Sequence, residues 1–461
     1  MTNQTEELWD KDLDSLPWVE VEAWQGTQVE SFVSGLAHRS PFYAEKLGAS
    51  RKSVKTIGAL ESLPLTTKSD LRIAQESPSE GESFGTIQGM PTSEIVQTVS
   101  SSGTSGRPVH YALTASDHAR WNDGIANMFF TAGIRPADVI AHLTRLPMVG
   151  GGLPYADGLR KLGANVVWAG GMSTERTLET IKSLQATALT ATVSFEVYLA
   201  EHCREVMGYE PSSLGLKKLI GGGEPGMGQP EIRAQISEAW GVTHLREAMG
   251  LSDVMAGMWA ECGQGNGMHF CAQRHVAIEL IDPDTENQIP WTEGATGEVV
   301  YTTFNREATP VLRFRSGDIV VVTDIACACS RTSPKIRCIG RSDDMLIYKA
   351  MNVFPSAIRD VILDEHSDHL SSHMRIWKEE IGQVKFDHPI PLEVEGNEDL
   401  EESEAQVLSE RIEATVRMRL GVRVDVAVVA TGTIPRTDYK TSLVQVRNPQ
   451  TSKGTPYPDF Q

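Results

Sequence analysis

At 461 residues, with 42 Lys and Arg set against 61 Asp and Glu, the chain carries a formal charge of −19. That length accommodates two or three domains with sizeable buried cores, and an acidic balance with no basic block argues against nucleic acid or anionic membrane as partners, since both require a cationic footprint. Six cysteines, an acidic polar N-terminus unlike a targeting segment and no apolar run near the roughly 20 residues of a membrane-spanning helix predict a cytoplasmic location, with reduced thiols or a metal site.

Residues 1 to 95 read as a helical lead-in, with Trp9, Leu13, Leu16, Trp18 and Val21 on irregular helical spacing and turns at Ser40-Pro41 and Leu63–Leu71 feeding short helices. Ile95–Val99 then alternates toward Ser100-Ser-Ser-Gly-Thr-Ser-Gly-Arg-Pro108. Small residues, hydroxyls and one cation suit a polyphosphate; a plain Ser/Gly turn between two strands fits the same residues. A P-loop does not fit, because Gly106 is followed by Arg-Pro rather than Lys-Ser/Thr.

Thr114-Ala-Ser-Asp117 reads as a capping box opening a helix that closes at Gly133. Beyond it, strands at 138–143, 165–168, 189–193 and 216–220 alternate with helices at 154–162, 175–184, 196–207 and 231–240. Regular alternation predicts an α/β fold with a largely parallel sheet, whose ligands sit at the carboxyl ends of the strands. Gly221–Pro225 and Glu247–Asp253 fall where strand-to-helix turns belong. A β-rich subdomain is expected over about 273–340, a polar hinge at Gly340–Met345, and a small mobile α+β domain over 343–461 after a large one over 1–342.

Taken in order, Ser101–Pro108, Gly223-Glu-Pro225, Met249-Gly-Leu-Ser-Asp253, Arg313–Asp318, Gly340–Asp344 with Asn352–Pro355, and Pro435–Lys440 resemble the phenylacetate–CoA ligase family of adenylate-forming enzymes, from about residue 30 to 450. The resemblance implies that a carboxylic acid attacks the α-phosphate of ATP, and that a thiol, usually coenzyme A, then displaces AMP from the acyl-adenylate. It implies nucleotide-binding roles for Ser101, Ser102, Gly103, Thr104, Ser105, Gly106 and Arg107 on the β- and γ-phosphates, and for Gly223, Glu224, Pro225, Met249, Gly250 and Ser252. Asp318 would grip the ribose, Arg341 would lie near ribose and phosphate, and Asp343 would be the pivot of the last domain. Lys440 would bridge the carboxylate and α-phosphate during adenylation, and Asp253 would help hold Mg²⁺.

Departures from the family pattern are local. Met249 replaces an aromatic that packs on adenine, Asp253 is one methylene shorter than the usual Glu, Ala350-Met351 replaces Gly and a small residue, and Tyr439 replaces Gly before the lysine. They leave coenzyme A as acceptor less secure than ATP. The resemblance also implies a structural Zn²⁺ on Cys262, His269, Cys327 and Cys329, a closed Cys3His set, with Cys271 as a rival ligand. Cys203 and Cys338 read as core residues.

In this branch the acid is commonly aromatic. The pocket is expected beside the sheet, near 145–155, with Tyr155, Phe195, Gly222 and Ala248 around a planar ring. A homodimer is compatible with the chain, which does not fix an oligomeric state. Two rivals stand beside the acid–CoA ligase: an adenylating enzyme that hands the acyl group to a carrier protein or amine, and a non-catalytic nucleotide-binding homologue.

Overall fold

The structure, a computed structural model, describes residues 7–48, 54–76, 82–101, 108–144, 148–224, 226–342, 345–349, 351–380, 383–397, 400, 402–436 and 443–447. Contacts divide the chain into a larger unit, Met1–Gly228 with Arg233–Cys338, and a smaller one, Gln229–Ile232 with Ile339–Gln461.

In the larger unit, helices α1 (Trp18–Arg39), α2 (Pro41–Leu47) and α3 (Lys68–Ala74) precede a hairpin of β1 (Ile95–Ser100) and β2 (His110–Thr114). Then follow α4 (Ala115–Thr131), β3 (Val139–His142), α5 (Leu153–Leu162), β4 (Asn165–Trp168), α6 (Thr174–Ser183), β5 (Ala188–Thr192), α7 (Val193–Met207), β6 (Lys218–Gly222) and α8 (Pro230–Trp240). The rest is β: β7 (His244–Leu251), β8 (Met255–Glu261), β9 (Met268–Phe270), β10 (Val276–Ile281), β11 (Thr296–Thr303), β12 (Phe314–Asp324) and β13 (Lys335–Arg341). One 11-stranded sheet takes them in the order β10-β11-β12-β13-β9-β8-β7-β6-β5-β3-β4. From β4 to β7 the pairing is parallel, and β7–β8, β8–β9, β9–β13, β11–β12 and β10–β11 are antiparallel.

The parallel half follows the alternation in the sequence closely, and the expected capping box is present: Thr114 Oγ1 accepts from Asp117 N while the Asp117 carboxylate accepts from Thr114 N. Strand order reverses at β3, which is followed by β4 on one side and, after α6, by β5 on the other. Between the carboxyl ends of β3 and β5 lies the crevice where such sheets bind ligands.

The sequence reading needs correction in two places. Trp9–Leu16 is not helical, because the Asp10 and Asp14 carboxylates take the N–H groups of Leu13 and Asp10, the local competition that opposes a helix; α1 starts only after Pro17. Glu247–Leu251 belongs to β7 and turns into the antiparallel β8 rather than into a helix. Gly250 permits this, since a Cβ there would fall 1.7 Å from Ala256 O. The expected β-rich stretch is present as β10 to β13, and it continues the parallel half in one sheet. Gly340 and Arg341, in the stretch expected as a hinge, end β13, and the division between the two units falls beside them, between Cys338 and Ile339.

The smaller unit has a three-stranded sheet of β14 (Leu346–Tyr348), β15 (Met351–Val353) and β17 (Lys385–Phe386), with α9 (Pro355–His366). Its four-stranded sheet combines β16 (Leu370–Lys378), β18 (Ile390–Gly396), β19 (Val424–Val429) and β20 (Val444–Val446), and α10 (Glu402–Leu420) shares one apolar core with α9 through Ile358, Ile362, Ile412 and Val416.

Candidate functional site

The hydroxyl-rich loop leaves and re-enters the fold through the β1–β2 hairpin. Ser101 N donates to Val109 O at 3.0 Å, and Val109 N donates back to Ser101 Oγ at 3.0 Å. Ser102, Gly103, Thr104, Ser105, Gly106 and Arg107 lie outside the described residues, but the neck they hang from is fixed. Ser100 N donates to Met148 O at 2.7 Å, and Gly150 N donates to Ser252 Oγ at 2.9 Å. Three distant segments thus meet: the hairpin neck, the Met148–Gly152 loop after β3, and the β7–β8 turn.

Asp253 in that turn is buried. Its Oδ1 accepts from Tyr111 Oη at 2.6 Å and lies 3.4 Å from Lys68 Nζ. Arg306, itself buried, donates to the carbonyls of Asp253 and Val254 and sits over the rings of Tyr111 and Trp121. Among the described residues no hydrogen bond is made to Asp253 Oδ2. One free carboxylate oxygen fits Mg²⁺, which keeps most of its waters and takes only one or two carboxylates beside substrate phosphates.

Sequence reasoning missed Lys68 and Tyr111. Lys68 opens α3, whose start is fixed by a Thr67–Asp70 capping box and by the pairing of Thr66 with Arg313 O and Arg315 N, both at 2.8 Å. The box was readable in the sequence; the acid facing the lysine was not.

On the nucleotide side, Met249 pairs with Trp259 across β7–β8, and Trp259 Nε1 donates to Tyr301 Oη at 2.9 Å. Burial, reinforced by the charge of Asp318, pushes the Tyr301 phenol well above its ordinary value. Asp318 stands on β12, which pairs with the strand that carries Tyr301. Gly223 takes φ +80° after β6, and Glu224 Oε1 accepts from Ser194 N at 2.6 Å and Ser194 Oγ at 2.5 Å, tying this loop to the start of α7. Beneath it Glu196 is wholly buried, and neither oxygen has a hydrogen-bond partner among the described residues. Burial first, then the charge of Glu224, pushes its carboxyl well above the usual range.

On the acid side, Gly222 pairs with Ala248, and a Cβ at Gly222 would lie 2.2 Å from Ala248 O, so only glycine allows these backbones to approach. Tyr155 packs edge-on against Phe129 at 5.1 Å and leans on His142 at 6.2 Å. Phe195 stacks on Tyr198 at 5.6 Å, along α7.

In the smaller unit Arg341 ends β13 and is half-buried, while Pro225, Asp343 and Lys440 lie outside the described residues. The segment leading to Lys440 is anchored at Arg436, whose guanidinium grips the buried Glu395 at 2.8 and 2.9 Å.

Cys262, His269, Cys327 and Cys329 form one group, with ligand atoms all within 4.8 Å of one another. Cys262 Sγ and Cys327 Sγ are 3.8 Å apart and Cys329 Sγ lies 3.3 Å from His269 Nε2. Tetrahedral zinc with bonds of about 2.3 Å separates sulfurs by about 3.8 Å, so the set fits that ion. His269 Nδ1 lies 3.0 Å from Ser333 O, and because a carbonyl only accepts, Nε2 is left with its lone pair toward the cysteines. The Cys262 and Cys329 thiols depress Cys327 and burial contributes the opposite way. Cys271 is excluded from the group: its thiol points at His269 O, and burial pushes it up to about 12.

Among the described residues no helix is long and apolar enough to cross a membrane. Residues 350–446 match the AMP-binding enzyme C-terminal domain family. The chain is 30% identical to the phenylacetate-coenzyme A ligase of Thermus thermophilus over 94% of its own length and 97% of the relative, and 29% identical to that of Escherichia coli over the same shares. Among solved structures, 2-hydroxyisobutyryl-CoA ligase in the postadenylation state with 2-HIB-AMP matches at a TM-score of 0.84 and 25% identity, covering 97% of this chain and 94% of that one. The same ligase with 2-HIB-AMP and CoA in the thioesterification state matches at 0.67 and 26%, with the same coverage. These likenesses establish that the chain belongs to the phenylacetate–coenzyme A ligase family of AMP-forming acid–thiol ligases.

Proposed function

We propose that this enzyme activates an aromatic carboxylic acid as its acyl-adenylate and transfers the acyl group to coenzyme A, yielding acyl-CoA, AMP and pyrophosphate. The observation that supports this reading is the junction of hairpin neck, Met148–Gly152 loop and Ser252–Asp253 turn, which ties the residue before the hydroxyl-rich loop to the loop after β3 and to the acid-bearing turn. Carboxylate and polyphosphate repel each other, so the first step needs oriented donors and fixed positive charge where oxyanion charge develops.

In this reading the loop Ser102–Arg107 holds the β- and γ-phosphates, Asp318 the ribose hydroxyls and Met249 a face of the adenine. Asp253, aimed by Tyr111, would hold Mg²⁺ through its free oxygen, and the bound cation would neutralise phosphate charge. Lys68, close to the same carboxylate, adds a second positive charge at that end of the cleft. Lys440 serves the carboxylate and α-phosphate, Arg341 lies near the ribose and phosphate, and Asp343 is the pivot on which Lys440 enters and leaves. Tyr155, Phe195, Gly222 and Ala248 line the acid.

Cys262, His269, Cys327 and Cys329 would hold a structural zinc, bracing the β8–β9 turn against the 327–329 loop. Pyrophosphate release and acyl-CoA formation across a panel of acids test the reaction. Release with at least one aromatic acid, dependent on Lys440, is expected. Release without any CoA-dependent product would move the acyl group to another acceptor, and no release would leave only nucleotide binding.

A further inference from the structure

His142 ends β3, is fully buried, and pairs with Trp168 of β4 and Thr190 of β5. It therefore stands at the point where the strand order reverses, which is where parallel sheets open to a ligand. Its Nε2 lies 2.9 Å from Gly152 O. A carbonyl can only accept, so Nε2 carries the hydrogen and donates, and Nδ1 is left with a lone pair. That nitrogen is buried and has no hydrogen-bond partner among the described residues. Burial lowers the imidazole to about 4, against the opposing effect of the Gly152 bond, so the ring is neutral at physiological pH and Nδ1 remains an acceptor.

The other polar side chains of this wall are paired within the chain. Trp168 Nε1 donates to Thr144 O at 3.0 Å and Thr190 Oγ1 donates to Ile220 O at 3.1 Å. The wall thus offers an acceptor, fixed between the rings of Trp168 at 5.7 Å and Tyr155 at 6.2 Å. A buried acceptor left without a donor is costly, and a site holding one discriminates strongly between ligands that do and do not supply the donor.

We propose that His142 is a specificity-determining residue: its Nδ1 accepts a hydrogen bond from a hydroxyl or amino N–H on the body of the acid, remote from the reacting carboxylate. The remoteness follows from position, since His142 lies within the sheet whereas the hairpin neck and Asp253 meet beyond the Met148–Gly152 loop. The substrate is then a hydroxy- or amino-substituted acid, not a bare hydrocarbon one. This rests on the acid–ligase reading of the crevice.

Matched acids decide it, with kcat/KM measured by pyrophosphate release for ring-hydroxyl, ring-amino, and fluoro or methyl lookalikes that lack a donor. The parent enzyme is expected to favour a donor-bearing acid by about tenfold or more, and the hydroxyl and amino arms identify which donor. His142→Asn keeps an oxygen about where Nδ1 stood and should preserve the preference. His142→Gln reaches Gly152 but vacates that position and should lose it. A parent indifferent to the donor overturns the proposal. So does the reverse order of the two variants, which would assign His142 to bracing Gly152 alone. Pyrophosphate release from no acid at all would instead overturn the acid–ligase reading, a result distinct from release without donor preference.

Discussion

The phenol of Tyr111 donates to Oδ1 of Asp253 across 2.6 Å, joining the second strand of the hairpin to the β7–β8 turn. Burial, then the charge of Asp253, pushes the phenol well above its ordinary value, so it stays protonated and remains a donor. The shorter acid is thereby held with one oxygen occupied and the other available. A hydrogen bond to a charged group contributes about 1.5–3 kcal/mol. Tyr111→Phe should accordingly lower kcat/KM by about tenfold or more and shift the Mg²⁺ titration of pyrophosphate release to higher concentration. An unchanged Mg²⁺ dependence would show that Asp253 does not face the cation.

The cysteine–histidine group predicts metal content. Purified protein should contain close to one zinc per chain by elemental analysis, and Cys329→Ser should lose most of it and unfold at lower temperature, because metal-binding energy contributes to folding. Adenylation measured below the new unfolding temperature should persist, since a closed ligand set has no open position for substrate.

Glu196 predicts an unusual pH dependence of stability. Its carboxyl is raised in the folded protein, so the unfolded chain ionises first. As pH rises above the ordinary glutamate value, stability should therefore fall until the raised folded value is passed. Urea unfolding from pH 5 to 8 should show that decline in the parent, and Glu196→Gln should flatten it. Parallel curves would mean that the carboxylate is ionised and partnered after all.

Glu395 behaves oppositely. Burial alone would raise its carboxyl, but the Arg436 guanidinium and Ile434 N outweigh burial and hold it below the usual range. The pair's contribution is thus present above the ordinary glutamate value and lost as pH falls through the depressed one. Arg436→Met leaves a buried carboxylate without its countercharge, held by Ile434 N and Ser371 Oγ, and should cost about 3–5 kcal/mol in unfolding of the smaller unit. If Lys440 acts in adenylation, pyrophosphate release should drop as well. Adding Glu395→Gln should restore stability, and a double variant no better than the single one would refute the pairing.

Local pattern sufficed for the parallel half of the large sheet: its strands and helices alternate with the periods that two-sided burial demands, and Thr114 and Thr67 announce their helices through side chains that bond only neighbours. The order of the glycine-, hydroxyl- and acid-bearing motifs sufficed for the family, because each motif is a short run whose chemistry is written in adjacent residues. The non-local contacts were not legible. That Glu247–Leu251 is a strand depends on how close Ala256 comes to Gly250. That Tyr111 and Lys68 share Asp253, that Cys271 is turned away from the other cysteines, and that His142 keeps one nitrogen unpaired are all consequences of packing between segments far apart in the chain. Periodicity records which face of an element is buried; only the tertiary structure decides what that face meets.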